Sequence, residues 1–148
     1  MRNVLLFLHI AGAIFWMGGM AFMVMALRPA LHARLEPPLR LPLVVEVLRR
    51  FFVVVIVSIA LLLLSGVPLL LQAPGARAPA GWHVMAGLGI VMMLVFGHIW
   101  FSPWRRLKHA VAEEAWPEGG KRMNQIALLV KVNLALGWIA IAAVLLWR

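Results

Sequence analysis

The chain has no cysteine and few charged residues. Without thiols it forms no disulfide and holds no iron–sulfur cluster, and both thiolate-ligated haem and covalently attached c-type haem are excluded. Histidine and methionine are then the available borderline and soft metal ligands. Charged residues make up 13% of the 148 and hydrophobic residues 64%, whereas soluble domains carry roughly a quarter charged residues. This composition indicates an integral membrane protein.

Four apolar runs are long enough to cross roughly 30 Å of hydrocarbon at about 1.5 Å per residue. They cover approximately residues 4–27, 51–72, 81–104 and 123–147. Only short connectors separate them, so we expect residues 1–148 to form a single transmembrane domain. The predicted fold is an all-α, integral membrane four-helix bundle with up-down-up-down topology.

Basic residues concentrate in the first and third connectors. Ten of the fourteen Lys and Arg lie there: Arg28, Arg34, Arg40, Arg49, Arg50, Arg105, Arg106, Lys108, Lys121 and Arg122. The positive-inside rule predicts that these connectors are cytoplasmic and that both termini are periplasmic. The net charge of +9 is then a topogenic signal and a contact with anionic lipid, and nucleic-acid binding is not expected.

Two histidines lie just inside the outer ends of apolar runs. His9 is followed one helical turn later by Gly12, and His83 by Gly87, so a flat group held by either imidazole would find room beside the helix. The first and third spans are diagonal neighbours in such a bundle, and the two histidines are roughly level. We therefore predict a bis-His haem b site with a six-coordinate iron. The alternative is that His83 sits half-hydrated at the membrane interface.

Methionine offers a competing chemistry, because thioethers bind Cu(I) without losing a proton. The first and third spans carry Met17, Met20, Met23, Met25, Met85, Met92 and Met93. Methionine is also an ordinary filler of apolar cores. The sequence therefore leaves open a copper site, a haem site and plain packing.

A second polar layer is predicted nearer the cytoplasm. Asn124 and Lys131 share a face of the fourth span, with Asn133 beside it, and Lys131 is near the level of His98. Facing inward, these side chains would line a pocket for a quinone or another redox partner. The alternative is that Lys131 reaches to the interface and His98 bonds within the bundle to Ser102.

The connectors also predict helix ends. Residues 43–50 are expected to extend the second helix beyond the membrane, with Glu46 and Arg50 as an i,i+4 ion pair. A short amphipathic helix is expected in the third connector, ended by Pro117 and by Gly119 and Gly120.

The first span contains the run LHIAGAIFWMGGMAF, Leu8 to Phe22. It resembles the opening helix of the CopD family of bacterial membrane proteins, which shares an LHxxxxxxWxGG signature with the four-helix membrane protoporphyrinogen oxidases. Three further segments are similar to short stand-alone CopD-type proteins: RRFF (Arg49 to Phe52), the third span (Gly81 to Leu107) and LVKVNLALG (Leu129 to Gly137).

This resemblance implies a multi-pass protein of the bacterial inner membrane that functions in copper resistance or uptake, with haem b binding as in the oxidase branch. The oxidase pattern carries over to His9, Trp16, Gly18, Gly19, His83, Lys121, Asn124 and Gln125. Two positions depart from it, since Met85 stands where those oxidases have a lysine and Gln125 where they have an acid. Protoporphyrinogen oxidation is therefore not expected.

The sequence-based hypothesis is a haem b protein that transfers electrons within the membrane, with an oxidoreductase activity left open. The site residues are His9 and His83 as metal ligands, with Gly12, Trp16 and Gly87 beside the cofactor. The first alternative is a copper transport or copper resistance protein without haem, and the second is a structural subunit of a larger membrane complex. The lipid bilayer is the expected partner, and the sequence is compatible with a homo-oligomer.

Overall fold

The computed structural model describes residues 1–72 and 79–147, and every residue range given below lies within them. The described chain is helical and contains no strand. Its helices are α1 (Arg2–Phe22), α2 (Arg28–Arg34), α3 (Pro37–Leu71), α4 (Ala80–Phe101), α5 (Pro103–Ala112) and α6 (Trp116–Leu146). A π-helical stretch, Met23–Leu27, joins α1 to α2. The predicted all-α fold is confirmed.

Four helical stretches are long and apolar enough to cross a membrane: Arg2–Arg34, Pro37–Leu71, Ala80–Ala112 and Trp116–Leu146. Each is longer than the apolar run that predicted it, because the helix continues past the apolar residues. The extension predicted for residues 43–50 is confirmed, since α3 already begins at Pro37. Glu46 forms the expected ion pair with Arg50, with Oε1 2.7 Å from Nε. The protein is thus a four-span membrane bundle.

The predicted helix end at Pro117, Gly119 and Gly120 is wrong, because these residues lie inside α6. Pro117 occupies the first turn of α6, where a backbone N–H has no helical partner and its absence costs nothing. Gly119 is buried, and a β-carbon there would lie 3.0 Å from Leu41 Cδ1 on α3. The glycine serves close packing of α6 against α3. The amphipathic helix of this connector is α5, which ends before it at Ala112.

The helices pack as two antiparallel pairs, α1 with α3 and α4 with α6. Small residues bring the backbones together, as is usual between membrane helices. A β-carbon at Gly12 would lie 3.1 Å from the Ser58 carbonyl oxygen, and the Gly81 N–H donates to the Trp147 carbonyl at 3.2 Å. Phe52 of α3 packs edge-on against Phe96 of α4, with ring centroids 5.4 Å apart. The aromatic contact joins the two pairs.

The turns at residues 35–36 and 113–115 lie at the same end of the bundle, since Gly119 of α6 packs on Leu41 of α3 there. We call this the basic end, because its turns are flanked by most of the arginines and lysines of the chain. His9 lies toward the opposite end.

Candidate functional site

His9 is half-buried and turned toward α3. Its Nδ1 lies 3.2 Å from Ser65 Oγ, and a β-carbon at Gly66 would be 2.8 Å from His9 Cε1. Ser65 Oγ donates its hydrogen to the Leu61 carbonyl. The hydroxyl therefore accepts from His9, which puts the imidazole hydrogen on Nδ1 and leaves the lone pair on Nε2. His9 is thus held against α3 by Ser65 and by a hydrogen bond with the Leu62 backbone.

Of the other predicted haem residues, two are packed inside the bundle and two are exposed. Gly12 is buried, but the room beside it is filled by Ser58 and neighbouring atoms of α3. Trp16 is buried in the core. His83 and Gly87 are exposed on α4, and a β-carbon at Gly87 would meet no atom within 4 Å.

The predicted inner polar layer lies on the outside of the bundle. His98 on α4 and Lys131 on α6 are both exposed. They lie within about one helical turn of the same height. This follows because α4 and α6 run antiparallel and Asn133 of α6 contacts Met92 of α4. Asn124 is also exposed, and its Oδ1 accepts a 2.6 Å hydrogen bond from Arg28 Nη2.

Two of the predicted methionines meet in the interior, in front of Gly137 of α6. A β-carbon at this glycine would overlap the Met17 thioether and would lie 3.3 Å from Met92 Cε. Met17 is near the middle of the first span and Met92 near the middle of α4. The absence of a side chain at Gly137 therefore lets two thioethers from different helix pairs reach one place near the middle of the bundle.

Asn133 lies one turn before Gly137, on the same face of α6. It is 2% exposed, and its Nδ2 donates to the Met92 carbonyl at 3.2 Å. Its Oδ1 is buried with no hydrogen-bond partner. An unpaired buried acceptor costs about 1–3 kcal/mol, so this oxygen is an unused acceptor inside the bundle. We call Met17, Met92 and Asn133 the mid-bundle site.

Further thioethers lie between the mid-bundle site and the basic end. Met20 and Met23 follow Met17 on one face of the first span, and both are buried. Met123 of α6 is buried as well, and it lines a small hollow together with Met23. In contrast, Met25 is 77% exposed. Methionine sulfur thus follows the interior from the middle of the bundle to its basic end.

No group of three or more His, Cys, Asp or Glu side chains that could hold a metal ion occurs among residues 1–72 and 79–147. The buried side chains of the described bundle that could bind a metal are neutral: thioethers, the hydroxyls of Ser58 and Ser65, and the amide of Asn133. Neutral soft ligands suit a monovalent soft cation better than Zn²⁺ or Cu²⁺, whose sites draw on imidazole, thiolate or carboxylate.

The sequence identified Met17 and Met92 as candidate ligands but gave no reason to single them out from five other methionines. Gly137 was missed as a site residue, although it closes the segment LVKVNLALG. A glycine four residues after an asparagine is a weak signal by itself. The pair becomes informative in the structure, where Asn133 and Gly137 both contact Met92.

Comparison with known proteins identifies one family. The family model described as copper resistance protein D (CopD) matches residues 45–147, which is more than half of the chain and includes α4 to α6. It begins after the first helix, so it contains Met92, Asn133 and Gly137 but not His9 or Met17. No curated protein matches the chain, and no solved structure matches it.

Proposed function

The chain belongs to the CopD family of membrane proteins, and on this premise we propose that it binds Cu(I) inside the helix bundle and passes it along the methionine-lined interior. Copper is the cargo in this proposal. The observation that carries it is the mid-bundle site, where two methionine side chains meet in front of Gly137 and the buried, unpartnered amide oxygen of Asn133 lies one turn away on the same face of α6.

The chemistry of this site favours Cu(I). Thioether sulfur is a soft ligand that selects Cu(I) among the biological metals, and it has no proton to lose on binding. A cation in the low-dielectric interior needs ligand dipoles in place of its hydration shell. Met17, Met92 and Asn133 supply such dipoles without a buried anion. Because all three ligands are neutral, the complex keeps one net positive charge. A charged complex in the low-dielectric interior is less stable than a neutral one, so the bound Cu(I) can be released.

The spacing of the methionines supports a route toward the basic end. Met17, Met20 and Met23 are three residues apart, which is about 4.5 Å of helix rise per step. A soft cation would move from one thioether to the next over such steps without leaving sulfur ligands. Met123 joins Met23 at the end of the series. His9 lies eight residues before Met17, about 12 Å toward the other end.

The competing proposal from the sequence is haem b between His9 and His83, with electron transfer as the function. In the structure His9 is hydrogen-bonded to Ser65 and His83 is exposed. Bis-His haem ligation stays a prediction. The absorption spectrum of the purified protein distinguishes a haem protein from a copper protein without haem.

The proposal is tested by Cu(I) titration of the purified protein in detergent, in competition with a chromogenic Cu(I) chelator. Met17→Leu and Met92→Leu each remove one ligand while nearly conserving volume. We expect each variant to bind Cu(I) at least about tenfold more weakly. Met25→Leu is the matched control, because Met25 is exposed on the same helical stretch. Its affinity should equal that of the parent protein.

The pH dependence provides a second readout. A thioether and amide site should bind Cu(I) equally well at pH 6 and pH 8, because none of its ligands takes up a proton in that range. A site built on imidazole would bind Cu(I) more weakly at the lower pH, since the ring nitrogens of protonated histidine have no free lone pair.

Unchanged affinity in both methionine variants would contradict the copper proposal. A red sample with a Soret band would favour haem, and neither metal bound would favour a structural subunit.

A further inference from the structure

A cleft of about 540 Å³ opens at the basic end, between the start of α3 and the start of α6. Its lining residues are Pro37, Arg40, Trp116, Pro117, Gly120, Lys121 and Asn124. Two of them are cationic, and Trp116 is of the type that anchors membrane proteins at the lipid–water interface. The cleft therefore combines positive charge with a position at the end of the membrane spans.

A small hollow lies behind this cleft, and Arg40 lines both. The remaining hollow residues are mostly apolar: Met23, Leu27, Leu31, Leu41, Val44 and Met123, with Arg28 and His32 at the polar side. The hollow measures about 10 Å³, room for about one water molecule, so it is a closed apolar wall beside the charged cleft and does not take an acyl chain.

Arg28 stands between the hollow and the cleft. Its Nη2 donates to Asn124 Oδ1 at 2.6 Å, and its Nε is buried with no partner. Asparagine is neutral, so this bond leaves the guanidinium charge uncompensated. The Nε–H is an unused donor, which costs free energy unless a ligand accepts from it.

Carboxylates do not neutralise this region within the described residues. The ion pairs there join Glu46 to Arg49 and Arg50, Glu118 to Arg122, and Glu113 to His109. Arg28, Arg40 and Lys121 take part in none of them. Glu36, which precedes Pro37, and Glu114, in the turn before Trp116, are exposed and form none of these ion pairs, so two negative charges near the cleft stand against three positive ones.

We propose that this cleft is a specific site for the phosphate of an anionic phospholipid headgroup. Arg40 and Lys121 contact the phosphate, and Arg28 adds positive charge behind Asn124, to which it is hydrogen-bonded. Basic pockets between membrane helices bind such headgroups, and arginine matches phosphate oxygens with paired donors. The lipid is favoured over a soluble phosphate compound because the cleft lies at the end of the membrane spans and is lined by the interface residue Trp116. Its binding would hold the α2–α3 turn against α6.

The test uses the full-length protein in detergent and short-chain phosphatidylglycerol as the probe, with the thermal unfolding midpoint as the readout. A ligand that binds only the folded state raises this midpoint in a saturable way. We expect such a rise with phosphatidylglycerol and not with phosphatidylcholine of the same chain length. Equal rises with both lipids would overturn the proposal, because the headgroup charge would then play no part.

The variant Arg40→Gln/Lys121→Gln should weaken the apparent lipid affinity about 100-fold, roughly tenfold for each lost charge-assisted hydrogen bond. The matched control is Arg105→Gln/Arg106→Gln, which removes the same charge from exposed positions of α5 at the same end. It should change the affinity less than about twofold, since surface charges at a distance are screened. An equal loss in the control would show a diffuse charge field instead of a site.

Arg40 also donates to the Leu35 carbonyl, so its loss disturbs the turn. Lys121→Gln alone is therefore a second variant, because Lys121 is exposed, and it should weaken lipid affinity about tenfold. Unchanged affinity in this variant would overturn the proposal.

Inorganic phosphate is tested as a second ligand in the same assay. If it raises the midpoint as strongly as the lipid and through the same residues, the site is one for a soluble phosphate compound.

Discussion

Asn133 donates its side-chain N–H to the main-chain carbonyl of Met92 across the α4–α6 interface, at 3.2 Å. The opposite orientation of the amide would set two acceptor oxygens against each other. The donor side of Asn133 is therefore fixed, and its Oδ1 is left buried and unpartnered. One hydrogen bond thus orients the oxygen that we assign to the copper ligand set.

Replacing Asn133 with leucine removes the donor and the unpartnered acceptor together, in a side chain of similar size. We expect the free energy of unfolding to change by less than about 1.5 kcal/mol, because hydrogen bonds between membrane helices contribute little on average. Cu(I) affinity should fall about tenfold. Thermal unfolding and chelator competition measure the two effects. An Asn133→Leu protein with full copper affinity would remove this residue from the site.

Gly137→Ala is expected to change copper binding without unfolding the protein. The new β-carbon would overlap Met17 at its thioether, which lies near the flexible end of that side chain and is able to move. The displacement should weaken Cu(I) binding while the helical circular dichroism and the unfolding midpoint stay close to those of the parent. If Cu(I) affinity is unchanged, Met17 does not bind copper from in front of Gly137.

Gly81→Ala is expected to act on the fold instead. There the new β-carbon would overlap the carbonyl oxygens of Ala143 and Trp147. These atoms belong to the backbone and cannot move by a change of rotamer. We expect a loss of about 1–3 kcal/mol in the free energy of unfolding. Gly87→Ala is the control, since its β-carbon would meet nothing within 4 Å. Its unfolding should stay within about 1 kcal/mol of the parent.

The imidazole tautomer of His9 follows from Ser65. We expect the ring hydrogen on Nδ1, which ¹⁵N NMR of histidine-labelled protein detects from the two ring-nitrogen shifts. Ser65→Ala removes the acceptor and should give a mixture of tautomers. Ser58→Ala is a matched control, because Ser58 is also buried on α3. A His9 spectrum that responds equally to both serine variants would mean that the Ser65 hydroxyl does not select the tautomer.

The charge distribution predicts the orientation in the membrane. Alkaline phosphatase fused after Arg148 should be active and green fluorescent protein fused there should be dark, because the basic end is expected in the cytoplasm and both termini outside. Fusions in the α2–α3 turn, at residues 35–36, should give the opposite result. Fluorescence from the C-terminal fusion would invert the orientation and place the basic end outside.

The membrane class and the number of spans could be read from the sequence, because mean hydropathy is a property of each segment alone. The extension of α3 and the Glu46–Arg50 pair were likewise local, since they depend on residues four apart on one helix. The start of α6 was missed although its signals are local. Pro117 begins a helix as readily as it ends one, and Gly119 lies inside α6 where it packs on Leu41.

The sequence by itself determined that this is a four-span helical membrane protein with soft neutral ligands and a basic end. Only the tertiary structure decided which ligands meet. The lipid-facing and inward-facing sides of a membrane helix are both apolar, so hydropathy does not say which face of each helix turns inward. Packing placed Met17 and Met92 together at Gly137 and turned His9 toward Ser65. The same packing left His83 and Lys131 exposed, because contacts between helices, including the close ones at Gly12, Gly81 and Gly137, set which face of a helix turns inward.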